Sequence, residues 1–379
     1  MRGVVMPLIK FIRKEAVLCI SLCAALISAI FVPPSAGYLD YIDWSTLGLL
    51  FCLMATVQGF GSVGAFARLS AALTRRSCST RTLGALLSLL CFFLAMLVTN
   101  DVALLTLVPV TISLFSGRSK VLIRAVILET AAANLGSMAT PVGNPQNLYI
   151  YSHYNMSLGE FFGVTLLPTV LSLALLAASV LLIPSERLEA SRTEKAGEPV
   201  PPAPKLKTLI FCAMAALCLC TVARILDWRI CLAAVLICAA AADLRILARV
   251  DWALLGTFVC FFVFVGNISA IPAVQDLIGV IVCGREMLVG AALSQVISNV
   301  PCAVMLSEFT SDAGQLLLGV DIGGMGTLIA SLASLISFKL YAASPDARKG
   351  RYFAEFTVYN FAVLAVLLTA QYDIRYASL

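Results

Sequence analysis

"NLGSMATPVGNPQN", residues Asn134–Asn147, sits inside a long apolar stretch, yet it holds three Asn, two Pro, two Gly and a Thr. A helix passing through this point loses amide donors at Pro141 and Pro145 and breaks there. Irregular backbone at membrane depth is tolerated only where it is buried in protein or lines a wet cavity. Such a break frees carbonyls for a cation and helix N-termini for an anion. The stretch therefore decides the fold, provided that the rest of the chain is membrane-embedded.

Composition says that it is. The 379 residues are 60% hydrophobic and 12% charged, with a mean hydropathy of +0.97. A soluble domain is about 45–50% apolar and about 25% charged. Nine apolar segments are long enough to cross a bilayer: about 15–33, 44–62, 121–152, 158–183, 208–226, 230–248, 252–270, 314–343 and 352–371. The alternating segments of about ten residues expected of a β-barrel are absent. The fold class is thus an all-α polytopic membrane protein with about 9–11 membrane helices. The net charge of +5 gathers in short loops and does not point to nucleic acid. The 13 Cys lie mostly in apolar runs, with no pair of CxxC motifs for a zinc site or a disulfide framework. The run Ala16–Val32 after Arg2, Lys10, Arg13 and Lys14 reads as a cleaved signal peptide or a retained first helix. Its length and Pro33-Pro34 favour retention.

Basic residues set the orientation. They occupy residues 2–14, then Arg75, Arg76 and Arg81, then Arg118, Lys120 and Arg124. The Pro-rich linker 184–207 carries Arg187, Arg192, Lys195, Lys205 and Lys207, and further basic residues are Arg245, Arg249, Arg348, Lys349 and Arg351. These loops are expected in the cytoplasm. Residues 34–43 and 152–157, without Lys or Arg, are expected outside. Arg81 and Arg118 then lie on one side, with Thr99-Asn100-Asp101 between them. A single helix joining them would be about 54 Å long against a core of about 30 Å. A hairpin entering from the cytoplasm fits better. Two ordinary spanning helices, with Thr99-Asn100-Asp101 at the outer surface, are the alternative.

The chain also repeats itself. "DWSTLGLLFCLMATV" from Asp43 matches "DWALLGTFVCFFVFV" from Asp251 at six of fifteen positions, an offset of 251 − 43 = 208. "LVTNDVALL" aligns with "VISNVPCAV", and "NLGSMATPVGNPQNLYIYSHY" with "DIGGMGTLIASLASLISFKLY". The last pair shares Gly136/Gly323, Met138/Met325, Thr140/Thr327, Leu148/Leu335 and Tyr154/Tyr341. "GEFF" from Gly159 then meets "AEFT" from Ala354. Between residues 43 and 251 the chain makes five full crossings, so the repeats run in opposite directions. Two inverted-topology repeats, each with a re-entrant hairpin and a broken transmembrane helix, point to a secondary transporter. The expected divisions are 1–40 (N-terminal transmembrane helix), 41–183 (repeat 1), 184–250 (cytoplasmic linker and connecting helices) and 251–379 (repeat 2).

At these residues the chain resembles the ion transporter superfamily in its citrate-transporter-like branch, over roughly residues 40–371. That branch includes divalent anion/sodium symporters and, more distantly, arsenite permeases and sodium/proton antiporters. Its symporters carry Ser-Asn-Thr at each of two hairpin tips and a Gly/Pro/Asn-rich break in the helix after each hairpin. Here the tips are Thr99-Asn100-Asp101 and Ser298-Asn299-Val300, and the "LVP" of residues 107–109 sits near a frequent Leu-Pro. The breaks are "TPVGNPQN" and "GGMGTLIASLAS", the second without Pro or Asn. Asp101 replaces the first Thr, as in the Asn-Asp of arsenite permeases, and Val300 replaces the second. The resemblance implies substrate contact by Asn100, Asn299, Thr140 and Pro141, with Thr327 as the partner of Thr140. It implies ion coupling at Thr99, Asn100, Asp101, Gly143, Asn144 and Ser298, with a sodium ion at Asn100, Asn144 and Ser298. It also implies a homodimer as a possible assembly, and no cofactor besides the coupling ion, sodium or a proton.

Single residues carry two readings each. Asp101 is a coupling carboxylate or a hairpin-tip cap. Glu129 is a proton site or the partner of Arg124. Lys339 snorkels to an interface or serves transport. Glu308 and Asp321 are expected near the outer surface. His153, the only His, is expected in an external loop, and Trp44, Trp228 and Trp252 as interface anchors. The expected function is secondary active transport of a small anionic solute, di- or tricarboxylate-like or inorganic, across the cytoplasmic membrane, coupled to Na+ or H+ by alternating access. The N-terminus is expected in the cytoplasm. The alternative keeps the fold and makes the chain an arsenite/antimonite efflux permease or a Na+/H+ antiporter. An intramembrane enzyme is disfavoured, because no HExxH, no G-x-S-G and no His-Cys pair in a break is present. A non-transporting scaffold or receptor is separated from a carrier by uptake into vesicles.

Overall fold

The computed structural model describes residues 15–68, 79–187 and 202–377. Arg2, Lys10, Arg13, Lys14, Arg75, Arg76, Arg192 and Lys195, which entered the orientation argument, lie outside the described residues. The described chain is built of helices. In the first half these are α1 (Ala16–Phe31), α2 (Trp44–Ser62), α3 (Thr80–Leu97), α4 (Asn100–Leu114), α5 (Ser119–Ser137), α6 (Pro145–His153) and α7 (Leu158–Ser179). Two connecting helices, α8 (Lys205–Val222) and α9 (Trp228–Ala242), and the short α10 (Arg245–Ala248) follow. The second half has α11 (Trp252–Ser269), α12 (Pro272–Val282), α13 (Glu286–Ile297), α14 (Asn299–Ser307), α15 (Ala313–Gly323), α16 (Leu332–Ala342) and α17 (Lys349–Ala377).

Among the described residues six helices are long and apolar enough to span a bilayer: α2, α3, α7 extended to Leu182, α8, α11 and α17 up to Asp373. Others are shorter because the chain breaks them. The apolar stretch 121–152 becomes α5 and α6, and 314–343 becomes α15 and α16. One element, α12, was not expected. It bends from α13 by 110° and exposes Leu277, Val280 and Ile281. Such an apolar stripe suits a helix lying at a membrane interface.

Side-chain contacts sort the loops onto two faces. Thr80 N–H donates to the Glu186 carbonyl (2.9 Å), Arg81 Nε to the Ile183 carbonyl (2.9 Å), and Arg118 pairs with Glu186 at 3.2 Å. Ser116 and Gly117 donate to Asp346 Oδ2 at 3.1 and 2.8 Å. Both ends of the α3–α4 hairpin therefore lie on the linker face, beside residues 183–187. On the far face Ser45 meets Ser152 at 3.0 Å, and Tyr154 donates to the Ser307 and Thr310 carbonyls at 2.9 and 2.8 Å. Thr310 Oγ1 in turn donates to Glu286 Oε1 at 3.2 Å, so both ends of the α13–α14 hairpin lie there. The faces are the two ends of α7, and the hairpins enter from opposite ones.

The matched sequences fold alike. Asp43 accepts the Thr46 N–H at 3.0 Å, and Asp251 accepts the Leu254 N–H at 2.9 Å. These are N-caps of α2 and α11. The indoles of Trp44 and Trp252 donate to the Leu39 and Leu247 carbonyls, each at 3.2 Å. Both rings are exposed, as interface anchors are.

Candidate functional site at the hairpin tips and helix breaks

Each hairpin tip rests on the break of the helix that follows it. The Asn100 amide donates to the Gly143 carbonyl (3.0 Å), and the Asn299 amide to the Ala330 carbonyl (2.9 Å). Thr140 Oγ1 donates to the Met96 carbonyl at 2.7 Å, and Thr327 Oγ1 to the Gln295 carbonyl at 3.0 Å. In a bilayer every backbone group must find a protein partner, and here tip and break satisfy each other. Gly136 and Gly323 permit the approach. A Cβ at Gly136 would lie 2.1 Å from the Phe92 carbonyl oxygen, and one at Gly323 2.8 Å from Ala291 Cα. All three pairs fall in the register of the sequence repeat. The tips differ in backbone: Thr99 is extended, whereas Ser298 has φ 74° and ψ 153°, a strained, Gly-like conformation.

The broken helices meet at the centre. Asn134 Oδ1 accepts from Asn100 Nδ2 (3.2 Å) and Ser331 Oγ (2.9 Å). Asn134 Nδ2 donates to Ser334 Oγ at 3.0 Å. Asp321, which aligns with Asn134, takes the reciprocal contact from Asn144, the counterpart of Ser331: its Oδ1 accepts from Asn144 Nδ2 and also from Gln146 Nε2, each at 3.3 Å. Likewise α16 packs on α4, and α6 on α14. Reciprocal contacts of this kind are what a two-fold relation produces. Asp321 is thus not near the outer surface, as loop charges suggested. It is 4% exposed, in the last turn of α15. The alignment with Asn134 held the signal.

A cavity of about 500 Å³ opens beside the first tip. Its walls include Gln58 of α2, Thr99 and Asp101 of the tip, Asn144 and Leu148 of the break, and Arg249 and Asp251. Lys207 lies 3.9 Å from Asp243, which ties the α9–α11 connection, and so the cavity mouth, to the linker face. A second cavity, of about 620 Å³, lies on the far face between Asp43, His153 and Arg224. Leu148 lines both. Leu148 of the broken helix therefore borders two cavities, one toward the linker face and one on the far face.

The structure brings Thr99, Asp101 and Asn144 to the first cavity. Asn100, Pro141 and Asn299 are buried, and Thr140 and Thr327 spend their hydroxyls on hairpin carbonyls. Gly143 offers its carbonyl to the first tip. Ser298 sits at the second junction, its hydroxyl 3.4 Å from the Ala330 carbonyl, whereas Asn100 and Asn144 belong to the first. Glu129 is fully buried and accepts a hydrogen bond from the Thr111 hydroxyl. Arg124 does not pair with it but with Glu355, at 3.2 Å. Glu129 lies a turn deeper on α5, out of reach of a guanidinium held at the interface. Lys339 is exposed at the end of α16 and lines a smaller cavity with Glu15, Asp101 and Asp251. His153 lies 3.9 Å from the exposed Glu308. Sequence reading passed over Gln146, Asn147 and Leu148, whose roles depend on which way the break turns.

Spanning helices around two tip-and-break junctions and two opposed cavities define a membrane transporter. The chain belongs to the citrate transporter family, whose model matches residues 4–317. It is 31% identical over 306 residues to the inner membrane protein YbiR of Escherichia coli, covering 79% of this chain and 80% of that one. To an uncharacterized transporter of Methanocaldococcus jannaschii it is 31% identical over 316 residues, 82% and 84% of the two chains. A silicon efflux transporter of rice, LSI3, is 32% identical over 131 residues, 35% and 27% of the two. The protein is a multi-pass membrane transporter and not an enzyme.

Proposed function

We propose that the chain is a secondary active transporter that moves a small anionic solute by alternating access, coupled to Na+ or H+. The observation that carries this reading is Leu148, shared between two cavities that open to opposite faces. A channel would join them, and a receptor would need only one. The inverted relation of the repeats, supported by hairpins entering from opposite faces, supplies the mechanism: rocking one junction against the other exposes the site to each side in turn. With the linker and N-terminus in the cytoplasm, the first cavity faces inward. The tip residues Thr99, Asn100, Asp101 and Ser298 and the break residues Thr140, Pro141, Gly143, Asn144 and Thr327 then hold cargo and coupling ion, with Asn299 as the second tip's contact. The family description and the di- and tricarboxylate symporters it resembles support an anionic cargo.

A second reading rests on the cavity walls. Among the described residues Asp101 and Asp251 line the first cavity with Arg249, and Lys339 lines the one next to it. That acidic lining favours an anion only if cations enter with it, and otherwise suits an undissociated oxyacid exchanged for protons. The partial similarity to a silicon efflux transporter points the same way. Reconstituted vesicles separate the two. Under the first reading an imposed Na+ or pH gradient drives accumulation of labelled citrate or dicarboxylate. Under the second, only arsenite or silicic acid moves, and against a proton flux. No gradient-driven movement of any of these solutes would reject both.

A further inference from the structure

We propose that Asp321 and Asn147 form a seat for a monovalent cation where the two broken helices cross, apart from the hairpin tips. The proposal names the ion seat of the coupling put forward above and depends on that reading for its role, though not for its existence. Asp321 is 4% exposed and Asn147 0%. One carboxylate oxygen, Oδ1, accepts two amide N–H groups at 3.3 Å, longer than the roughly 2.7–2.9 Å of a well-formed charge-assisted bond. The other, Oδ2, has no hydrogen-bond partner among the described residues. Nor does any ion pair among them include Asp321.

The Asn147 amide lies beside the same carboxylate. Its Nδ2 faces the carbonyls of Ser137, Met138 and Thr140 at 3.3, 3.4 and 3.2 Å. Those three acceptors fix the amide's orientation, since the flipped form would set oxygen against oxygen. Asn147 Oδ1 is thereby turned away from its own donors, and it too lacks a partner. The carboxylate thus has neutral amide donors from Asn144, Gln146 and Asn147 but no cationic partner among the described residues, and Asp321 Oδ2 and Asn147 Oδ1 are left as buried acceptors in one cluster, which calls for positive charge. The end of α15, where Asp321 sits, adds the negative end of its helix dipole.

The ligand chemistry selects the ion. Carboxylate and amide oxygens suit a hard cation. Only one carboxylate is present, and no group of three His, Cys, Asp or Glu able to hold a metal ion occurs among the described residues. A single negative charge matches a single positive one, such as Na+. Gln146, whose amide already touches Asp321, can rotate to offer its oxygen, whereas Asn144 Oδ1 is held by the Asn147 N–H at 2.9 Å as the cap of α6. The matching position in the first repeat provides the contrast: Asn134 is neutral, and its amide oxygen and nitrogen both have partners. Of two equivalent positions, one is closed and uncharged, and the other charged and open.

The test uses the full chain in detergent without cargo. Its melting temperature is followed as NaCl, LiCl or KCl replaces choline chloride at constant ionic strength, and 22Na+ binding is measured in parallel. The wild type is expected to show a saturable rise with Na+ and one bound ion that Asp321→Asn removes. Asn at 321 reproduces the residue that the first repeat accepts at 134, so the variant is expected to fold. Should it not, Asp321→Glu keeps the charge and misplaces it, and is expected to weaken Na+ binding about tenfold, a change of about 1.4 kcal/mol. Exposed Glu308→Gln is expected to leave binding unchanged. A wild type that responds to none of the three cations, or variants at 321 that bind Na+ as the wild type does, would overturn the proposal. A chain that binds Na+ through Asp321 yet accumulates no solute would reject the transport reading and leave the seat standing.

Discussion

Asp101 begins α4 as part of the tip that the backbone holds in place. Its own N–H donates to Asn100 Oδ1 at 3.0 Å, and the residue borders the first cavity, with its Oδ1 unpartnered among the described residues. A carboxylate that only capped the helix would accept the free N–H groups of the first turn. A buried oxygen without a donor, on a residue that borders a cavity, fits ion exchange better. Asp101→Asn is therefore expected to abolish gradient-driven accumulation in reconstituted vesicles while the protein stays folded. Normal accumulation by that variant would reduce Asp101 to a cap. The glycines at the junctions make a second prediction. A Cβ at Gly136 or Gly143 would lie 2.1 Å from a backbone carbonyl oxygen, of Phe92 or Ser137, whereas one at Gly163 meets nothing within 4 Å. Ala at 136 or 143 is expected to cost about 1–3 kcal/mol or more by over-packing. Gly163→Ala should leave thermal unfolding in detergent unchanged, and equal melting of all three would show that the junctions are looser than the contacts imply. At this scale Asn100, Asp101 and Asn299 were legible in the sequence, because polar residues in apolar runs stand out. Asp321 was not: it lies in the apolar stretch 314–343 and aligns with Asn134, yet it was expected near the outer surface.

The two breaks illustrate how much an element's sequence reveals. Pro141 and Pro145 announce the first. The second contains no Pro, and its physical cause is a side chain from the hairpin. Gln295 Nε2 donates to the Gly323 and Met325 carbonyls at 2.8 and 3.0 Å, and Gln295 Oε1 accepts the Thr327 N–H at 2.9 Å. One amide thus replaces the hydrogen bonds that the helix gives up, with Gly326 taking φ 108° at the turn. The matching residue in the first hairpin is Met96; there the freed carbonyls of Ser137, Met138 and Thr140 are served by Asn147 Nδ2 instead. A contact between elements cannot be read from periodicity, so the repeat alignment located this break without explaining it. Gln295→Leu leaves those groups unpaired, at about 1–3 kcal/mol for each buried one. It is expected to lower the melting temperature well below that of Met96→Leu. Equal melting of the two variants would mean that the second break holds without Gln295.

For the whole molecule, basic residues placed the first hairpin, and the count of crossings between the matched repeats placed the second on the opposite face. Neither could find α12, which carries one charge, Asp276, and no loop signal of its own. The orientation can be checked with a membrane-impermeant thiol reagent on a Cys-free background. A Cys at Glu186 is expected to react only from the cytoplasm, and one at Asn155 only from outside; the reverse pattern would invert the assignment. The barrier between the cavities carries the last prediction. A coupled carrier must never expose its site to both sides at once, since any path through would dissipate the gradient that drives it. Leu148 is 1% exposed and borders both cavities, so its side chain is placed to be part of the barrier between them. Leu148→Ala removes most of that side chain and is expected to cost about 2–5 kcal/mol of stability. Its effect on transport should be separate from this loss: among correctly folded molecules, the ion should leak down its gradient without cargo. Vesicles loaded with Na+ or held at a pH difference would report the leak, normalised to folded protein. A variant that keeps the wild type's low leak and full accumulation would place the barrier elsewhere, and with it the point about which the two halves rock.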